Sequence, residues 1–128
     1  PKGSPVSEFW QSSAFGFRTD PLSGKREFHS GVDFAGPAGS PITAVAAGIV
    51  IWSGPRLGYG NLVEISHGNG YVTRYGHNSR NLVGIGDKVK KGETVALMGA
   101  SGRTTGTHVH FEVVRNGEYL NPRGKMNL

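Results

Sequence analysis

Glycine is the residue type that most limits what this chain can fold into. It accounts for 21 of the 128 residues, and glycine or proline interrupts almost every longer window of the sequence. Because glycine weakens helix interiors and marks turns and close backbone approaches, this density disfavours long helices. The runs between the interruptions are short and rich in β-branched and aromatic residues. This pattern favours an all-β fold, either a barrel or a sandwich.

Seven segments have the composition expected of strands, and two turns stand between them. The predicted strands are residues 13–18, 31–34, 42–53, 61–67, 71–75, 94–98 and 108–115. Between the fourth and fifth, Gly68-Asn69-Gly70 supplies residues that tolerate positive φ, which predicts a hairpin. A second turn is expected at residues 90–93, where the lysines at 88, 90 and 91 are expected to form a solvated edge.

Length and charge bound the number of domains and the kind of partner. A chain of 128 residues is long enough for one domain with its own core. We expect an N-terminal arm at residues 1–12 and a single domain at residues 13–128. The formal net charge of +5 favours an anionic partner such as nucleic acid, lipid headgroups or a cell-wall polymer. The absence of a block of basic residues argues against a nucleic-acid-binding tail.

The missing cysteines and the hydropathy pattern exclude several kinds of site. Without cysteine, the chain can form no disulfide, thiolate metal site or cysteine nucleophile. The longest nearly apolar run, residues 44–52, is too short to cross a bilayer, so no transmembrane segment is predicted in this chain. The first residues contain neither a signal-peptide core nor an initiator methionine, so we expect a mature or excised piece of a longer parent.

Histidines recur at even spacing in the segment GTHVHFEV. Successive side chains of a strand alternate between its faces, so His108 and His110 point the same way, with Cα atoms roughly 6–7 Å apart. Val109 and Phe111 then point into the core. His29 and Asp33 in HSGVDF are four residues apart, which is also an even separation, so a strand would place them on one face. Gly31 between them would leave room for an ion to approach.

These two segments together offer imidazoles and a carboxylate. Catalytic zinc sites commonly use three nitrogen or oxygen ligands and keep one position open. Because the chain has no thiols, zinc or another borderline divalent ion is the natural occupant. His77, in YGHN, can join as an acid–base or anion-stabilising group. The alternative for each pattern alone is a set of structural or solvated polar positions, and for His67, beside the tight turn, we retain that alternative.

Several ordered blocks resemble the lysostaphin/LytM-type zinc endopeptidases of bacterial cell walls. They run from about residue 15 to residue 122 and include FGFRTDP, FHSGVDFAGPAGSPITAVAAGIV, YGNLVEISHGNGYVTRYGH, VGIGDKVKKGETVALMGASGRTTGTHVHFEV and NGEYLNP. The resemblance implies a single antiparallel β-sheet or half-barrel domain with its metal site in a groove. One departure is Asn78, where the family usually has leucine, and it puts only the neighbouring groove wall in doubt.

The resemblance also implies roles for individual residues. One zinc ion per chain would be held by His29, Asp33 and His110, and His77 and His108 would be catalytic. We also expect three residues to line the substrate groove, namely Arg18, Asn61 and Tyr75.

The implied function is hydrolysis of peptide bonds in peptidoglycan, within the bacterial cell envelope, in the periplasm or outside the cell. The blocks look most like Gram-negative members that cut D-alanyl–diaminopimelate cross-links, with glycyl-glycine cleavage as the alternative bond. A noncatalytic module that binds wall polymer or activates an amidase is the alternative from another class, and intact HxxxD and HxH patterns argue against it. A basic β-barrel that binds nucleic acid ranks lowest, because no basic aromatic platform is evident. An inhibitory or regulatory segment in the parent protein is compatible with this picture.

Overall fold

The structure is a computed structural model that describes residues 10–13, 16–19, 26–29, 31–99 and 107–121. For the first three ranges it describes the backbone strands, and for the last two it also describes the side chains. All regular secondary structure in these ranges is β. Within this part of the chain, no helix is long and apolar enough to cross a membrane.

The strands form one large antiparallel sheet and one small one. In the large sheet of ten strands, the order is β1-β4-β11-β8-β7-β6-β9; β10 pairs with β5 and β8, and β12 pairs with β11. β2 and β3 pair only with each other in the described part of the chain. The strands are β1 Trp10–Ser13, β2 Gly16–Thr19, β3 Arg26–His29, β4 Val32–Ala35, β5 Pro41–Thr43, β6 Gly48–Arg56, β7 Gly60–Gly68, β8 Tyr71–Asn81, β9 Lys88–Val89, β10 Thr94–Met98, β11 His108–Arg115 and β12 Glu118–Leu120. The predicted all-β, antiparallel fold class is confirmed.

Strand β11 lies near the middle of the sheet and separates the core from a polar surface. Its apolar positions are fully buried, and the Phe111 ring packs against Tyr75 of β8 with 5.5 Å between ring centroids. Alternation along the strand sends the intervening side chains to the opposite face. That face carries His108, His110 and Glu112.

Three predicted strands differ from the structure by more than one residue at an end. The apolar run 42–53 is two strands, β5 and β6, because the chain leaves the sheet between them: the amide of Val45 donates to the Tyr75 hydroxyl, 3.2 Å away. β8 continues to Asn81 because it also pairs with β10. Segment 13–18 covers the end of β1 and the start of β2. β1 also spans the expected boundary after residue 12, and the division into arm and domain stays a prediction.

Both predicted turns are present. The β7–β8 hairpin turns through Gly68, Asn69 and Gly70, all with positive φ (90°, 54° and 79°). In the second turn, the amide of Glu93 donates to the carbonyl of Lys90 over 3.0 Å. The first turn joins two paired strands, β7 and β8, whereas the second leads from β9 to β10, which pair with other strands.

Candidate metal and catalytic site

Strands β4 and β11 bring the two sequence patterns together. Their antiparallel register places Asp33 opposite His110. His110 Nδ1 lies 2.7 Å from Asp33 Oδ1, and His108 Nε2 lies 3.8 Å from the same oxygen. The aspartate of HxxxD and both histidines of HxH therefore share one polar cluster.

The even spacing predicted that His29 and Asp33 share one strand face, but the two residues lie on different strands. His29 ends β3, where its backbone pairs with Gly16, and Asp33 belongs to β4. Gly31 lies in the bend before β4, and a Cβ atom there would collide with the carbonyl oxygen of Phe111. The glycine thus allows a close approach of β4 to β11, which corrects the expectation that it leaves room for an ion. The side chain of His29 lies outside the described residues.

The donor set at Asp33 and His110 suits a borderline divalent cation. Among the side chains that the structure describes, no group of three potential ligands is assembled, and the side chain of the third predicted ligand, His29, is not among them. Asp33 and His110 provide one carboxylate oxygen and one imidazole nitrogen at 2.7 Å from each other. Oxygen and nitrogen donors of this kind fit zinc, and the chemistry of the pair is compatible with a third imidazole ligand.

The second ring nitrogen of His110 is also engaged. His110 Nε2 lies 2.8 Å from Glu112 Oε2, so that Nδ1 is the nitrogen left to face Asp33. Burial lowers the pKa of His110, but hydrogen bonds to Asp33 and Glu112, together with their charges, outweigh it and raise the pKa to about 9. The ring is held between two carboxylates, one at each nitrogen.

Behind His110 lies a polar network that the sequence patterns did not predict. Glu112 is 1% exposed and accepts hydrogen bonds from the Tyr59 hydroxyl and from Arg74 Nη1, at 3.0 Å and 3.2 Å. Arg74 Nε in turn donates to Glu64 Oε2 over 2.6 Å. The available signal was the continuation of the alternation of His108 and His110 to Glu112.

His77 reaches this face through a bulge in β8. Asn61 pairs with Asn78 and Val63 with Tyr75, so β8 has one residue more than β7 in this interval. His77 itself has φ 65°, a left-handed conformation that residues other than glycine adopt uncommonly. By strict alternation, His77 would share the core face of Tyr75, and the extra residue turns it to the other face instead.

Three imidazole rings therefore meet at one place. The centroid of the His77 ring lies 5.1 Å from that of His108 and 6.2 Å from that of His110. His77 is 6% exposed, whereas His108 is only partly buried. Two imidazoles beside a potential metal ligand can accept and donate protons within one small volume.

The three expected groove residues have different positions. Tyr75 is fully buried in the core, so it does not line a groove. Asn61 is half-buried, and its amide nitrogen donates to the carbonyl of Asn78 over 3.0 Å, which ties together the two strands beside the bulge. The side chain of Arg18 lies outside the described residues.

His67 is not a solvated turn residue. It is half-buried, with Nδ1 2.8 Å from the carbonyl oxygen of Ala47 and Nε2 2.7 Å from Thr73 Oγ1. Thr73 is fully buried like Tyr75. The alternation of Tyr71, Thr73 and Tyr75 therefore marks a core-facing strand rather than a solvated face.

Comparison with known proteins identifies the family and the fold of this chain. The sequence pattern of Peptidase family M23 matches residues 27–122. The chain belongs to peptidase family M23. The resemblance inferred from the sequence and the class of enzyme, a peptidase, are confirmed. All the described residues of the polar cluster lie within the matched M23 region.

Curated relatives of this M23 chain are considerably longer than the chain itself. The chain is 42% identical over 106 residues to the peptidoglycan DD-endopeptidase ShyC of Vibrio cholerae, covering 83% of this chain and 24% of ShyC. It is 41% identical over 111 residues to the DD-carboxypeptidase/endopeptidase Mpg of Neisseria gonorrhoeae, covering 87% of this chain and 26% of Mpg. The chain thus spans about a quarter of these relatives.

Solved M23 structures share the fold. A zinc-containing peptidase from Vibrio cholerae matches with a TM-score of 0.88 and 37% identity, over 94% of this chain and 38% of that one. The catalytic domain of the antimicrobial peptidase lysostaphin from Staphylococcus simulans matches with a TM-score of 0.83 and 27% identity, over 94% and 93% of the two chains. The lysostaphin-like architecture that the sequence implied is therefore confirmed.

Proposed function

We propose that this chain is the catalytic domain of a zinc-dependent endopeptidase that hydrolyses peptide bonds in peptidoglycan. The observation that carries the proposal is the convergence of Asp33, His77, His108 and His110 on one polar face. The names of relatives support it, since ShyC is a peptidoglycan DD-endopeptidase and one solved relative is a zinc-containing peptidase.

In this proposal, His29, Asp33 and His110 hold one zinc ion per chain. The chemistry that zinc supplies when bound is Lewis acidity, which polarises a carbonyl and lowers the pKa of a water molecule. Asp33 and His110 already face each other at 2.7 Å. Their strands, β4 and β11, are adjacent in the sheet, so little rearrangement is needed to place both donors.

His77 and His108 share the proton transfers. One ring accepts a proton from the attacking water at its unprotonated nitrogen, and the other donates an N–H to the oxygen of the scissile carbonyl. The water oxygen first forms the new bond to the carbonyl carbon. The proton held on the imidazole then passes to the amide nitrogen as the carbon–nitrogen bond breaks, so that a neutral amine leaves. The distance of 5.1 Å between the two ring centroids suits this division, because both rings can reach one peptide group.

The favoured substrate is the D-alanyl–diaminopimelate cross-link of peptidoglycan. Two relatives are named as peptidoglycan DD-endopeptidase and DD-carboxypeptidase/endopeptidase, which supports this bond over a glycyl-glycine bond. The net charge of +5 supports docking on an anionic wall. The proposed location is accordingly the bacterial cell envelope, in the periplasm or outside the cell.

A digest of purified walls tests the function and the bond together. The chain would be incubated with diaminopimelate-type and with glycine-bridged peptidoglycan, with and without a chelator, and the released muropeptides identified by mass spectrometry. We expect chelator-sensitive cleavage of D-alanyl–diaminopimelate cross-links, and none by the control variant His110→Ala. Cleavage only between glycines would show that the substrate bond is glycyl-glycine instead. Stoichiometric zinc without any new muropeptide would favour the noncatalytic module, and absence of both would reject the proposal.

A further inference from the structure

Glu112 is the buried carboxylate whose position calls for an explanation. An ionised carboxylate that is removed from water without partners strongly destabilises a fold. Glu112 is 1% exposed, and a position this deeply buried is usually filled by an apolar residue. The network around it must therefore stabilise its charge.

Both carboxylate oxygens of Glu112 are engaged. Oε1 lies 3.2 Å from Arg74 Nη1 and 3.0 Å from the Tyr59 hydroxyl. Oε2 lies 2.8 Å from His110 Nε2 and 3.2 Å from the same hydroxyl. A carboxylate with partners on both oxygens has a fixed orientation, because rotation would break several hydrogen bonds together.

Arg74 reaches Glu112 from a defined direction. Strand register places Arg74 directly opposite Glu112 on one side and Glu64 on the other. Its guanidinium binds Glu64 over 2.6 Å and Glu112 over 3.2 Å. The cation therefore lies between two buried carboxylates and forms an ion pair with each.

We propose that Glu112 is a positioning residue that holds the His110 ring by Nε2 and so keeps Nδ1 directed at Asp33 and the metal. This inference rests on the proposed function, in which His110 is a zinc ligand. Metal-binding histidines commonly donate their second N–H to a carboxylate, which fixes the tautomer and orientation of the ring. Tyr59 supports the same carboxylate from the other side.

Zinc affinity tests the role of Glu112 separately from catalysis. The dissociation constant of the purified chain for zinc would be measured by competition with a chromogenic chelator, well below the unfolding temperature. Removing a group that hydrogen-bonds to a metal ligand weakens metal binding about 10-fold to 100-fold. We expect about 10-fold for Glu112→Gln, whose amide oxygen can still accept from Nε2, and about 100-fold for Glu112→Ala.

Glu64→Gln is the matched control. Glu64 is a second buried carboxylate on Arg74, but it lies one strand further from His110. Glu64→Gln removes the same charge from the same network. We expect the zinc dissociation constant of this variant to stay within about 3-fold of wild type, whereas removing the hydrogen-bond partner of a metal ligand raises that constant at least about 10-fold. Equal losses in Glu64→Gln and Glu112→Gln would show a general effect of the network and overturn the proposal.

The tautomer of His110 provides a second readout. Heteronuclear NMR of the zinc-loaded chain should show the ring proton on Nε2, protected from exchange in wild type and exchanging rapidly in Glu112→Ala. If Glu112→Ala does not fold, the dissociation constant of Glu112→Gln decides, and a value equal to wild type overturns the inference. If wild type itself binds no stoichiometric zinc, the proposed function fails first. If wild type binds zinc and both Glu112 variants bind it equally well, only the positioning role fails.

Discussion

The backbone amide of His77 donates a hydrogen bond to the carbonyl oxygen of Tyr59 over 2.6 Å. This bond lies at the bulge of β8, where His77 adopts φ 65°. The bulge turns the imidazole from the core face toward His108. Tyr59 also donates its hydroxyl to Glu112, so one residue contacts both the backbone of a proposed catalytic histidine and the partner of a proposed metal ligand.

Substitution of His77 separates its conformation from its chemistry. His77→Ala and His77→Gly should both lose about 10²-fold or more in activity, since each removes a proton-transfer group. His77→Gly should be more stable than His77→Ala by about 1 kcal/mol, because a left-handed conformation costs an L-residue about 1–2 kcal/mol and glycine nothing. Chemical denaturation measures the difference.

Ser79, two residues further along β8, is the control position, because its φ is not positive. There the order should reverse, with Ser79→Ala more stable than Ser79→Gly by about 0.5–1 kcal/mol. A His77→Ala variant more stable than His77→Gly would contradict the importance of the bulge conformation.

The two histidines of HVH should respond differently to substitution. His110→Ala should lose both zinc and activity, because His110 lies 2.7 Å from Asp33 and is the proposed ligand. His108→Ala should lose activity while keeping most of the zinc, since its ring is 3.8 Å from Asp33 and borders the cluster. Zinc content by mass spectrometry and muropeptide release measure both properties. Equal zinc loss in the two variants would show that the assigned roles are wrong.

Gly31 should tolerate no side chain. In Gly31→Ala the new Cβ would collide with the Phe111 carbonyl oxygen, which pushes β4 away from β11 and separates Asp33 from His110. We expect a loss of about 1–3 kcal/mol of unfolding free energy, together with weaker zinc binding. Gly84→Ala is the control, because the nearest atom to its Cβ would be 4.0 Å away. Similar stabilities of the two variants would contradict the close approach.

The alternation of side chains along strands was the most informative signal in the sequence. It predicted that His108 and His110 share a face. One more step of the same alternation places Glu112 on that face as well. The pair Asn116-Gly117 is likewise a strong hairpin signal, with φ values of 51° and 82° between β11 and β12, and the sequence-based interpretation did not use it.

Long-range contacts account for what the alternation could not predict. The bulge at His77 depends on the bond to Tyr59, 18 positions away in the chain, and no local pattern encodes that partner. The run 42–53 is divided into two strands where the amide of Val45 donates to the Tyr75 hydroxyl and not to a neighbouring strand. Arg74 and Glu64 have the composition of an ordinary solvated strand face until the register places Arg74 between Glu64 and Glu112.

Tyr75 should matter for stability and not for metal binding. Its hydroxyl accepts from the buried amide of Val45 and lies 2.8 Å from Thr73 Oγ1. Tyr75→Phe leaves that amide without its partner, which should cost about 1–3 kcal/mol of unfolding free energy. Tyr71→Phe, on a half-buried ring beneath Arg115, is the control and should change stability by less than about 0.5 kcal/mol. If Tyr75→Phe instead lost activity at unchanged stability, the Tyr75 hydroxyl would have a role in the reaction and not only in the core.

A directional chain of hydrogen bonds links His67 to the core. The carbonyl of Ala47 can only accept, so His67 Nδ1 carries the proton and the neutral ring accepts at Nε2 from the Thr73 hydroxyl. Thr73 then accepts from Tyr75, which in turn accepts from the amide of Val45. A second proton on the His67 ring would oppose the direction of this chain.

Acidification should therefore weaken the fold through His67. Burial lowers the pKa of His67 from 6.5, although its hydrogen bond to the Ala47 carbonyl partly opposes the shift. Below pH 6.5 the unfolded chain binds a proton that the folded chain does not, so the contribution of His67 to stability is complete above pH 6.5 and declines as the pH falls toward the lowered pKa.

Urea denaturation of wild type and His67→Gln between pH 8 and pH 5 measures this contribution. The difference in unfolding free energy should shrink as the pH falls, since glutamine does not titrate and all other groups are common to both chains. A difference that is constant over this range would show that His67 does not change its protonation on unfolding.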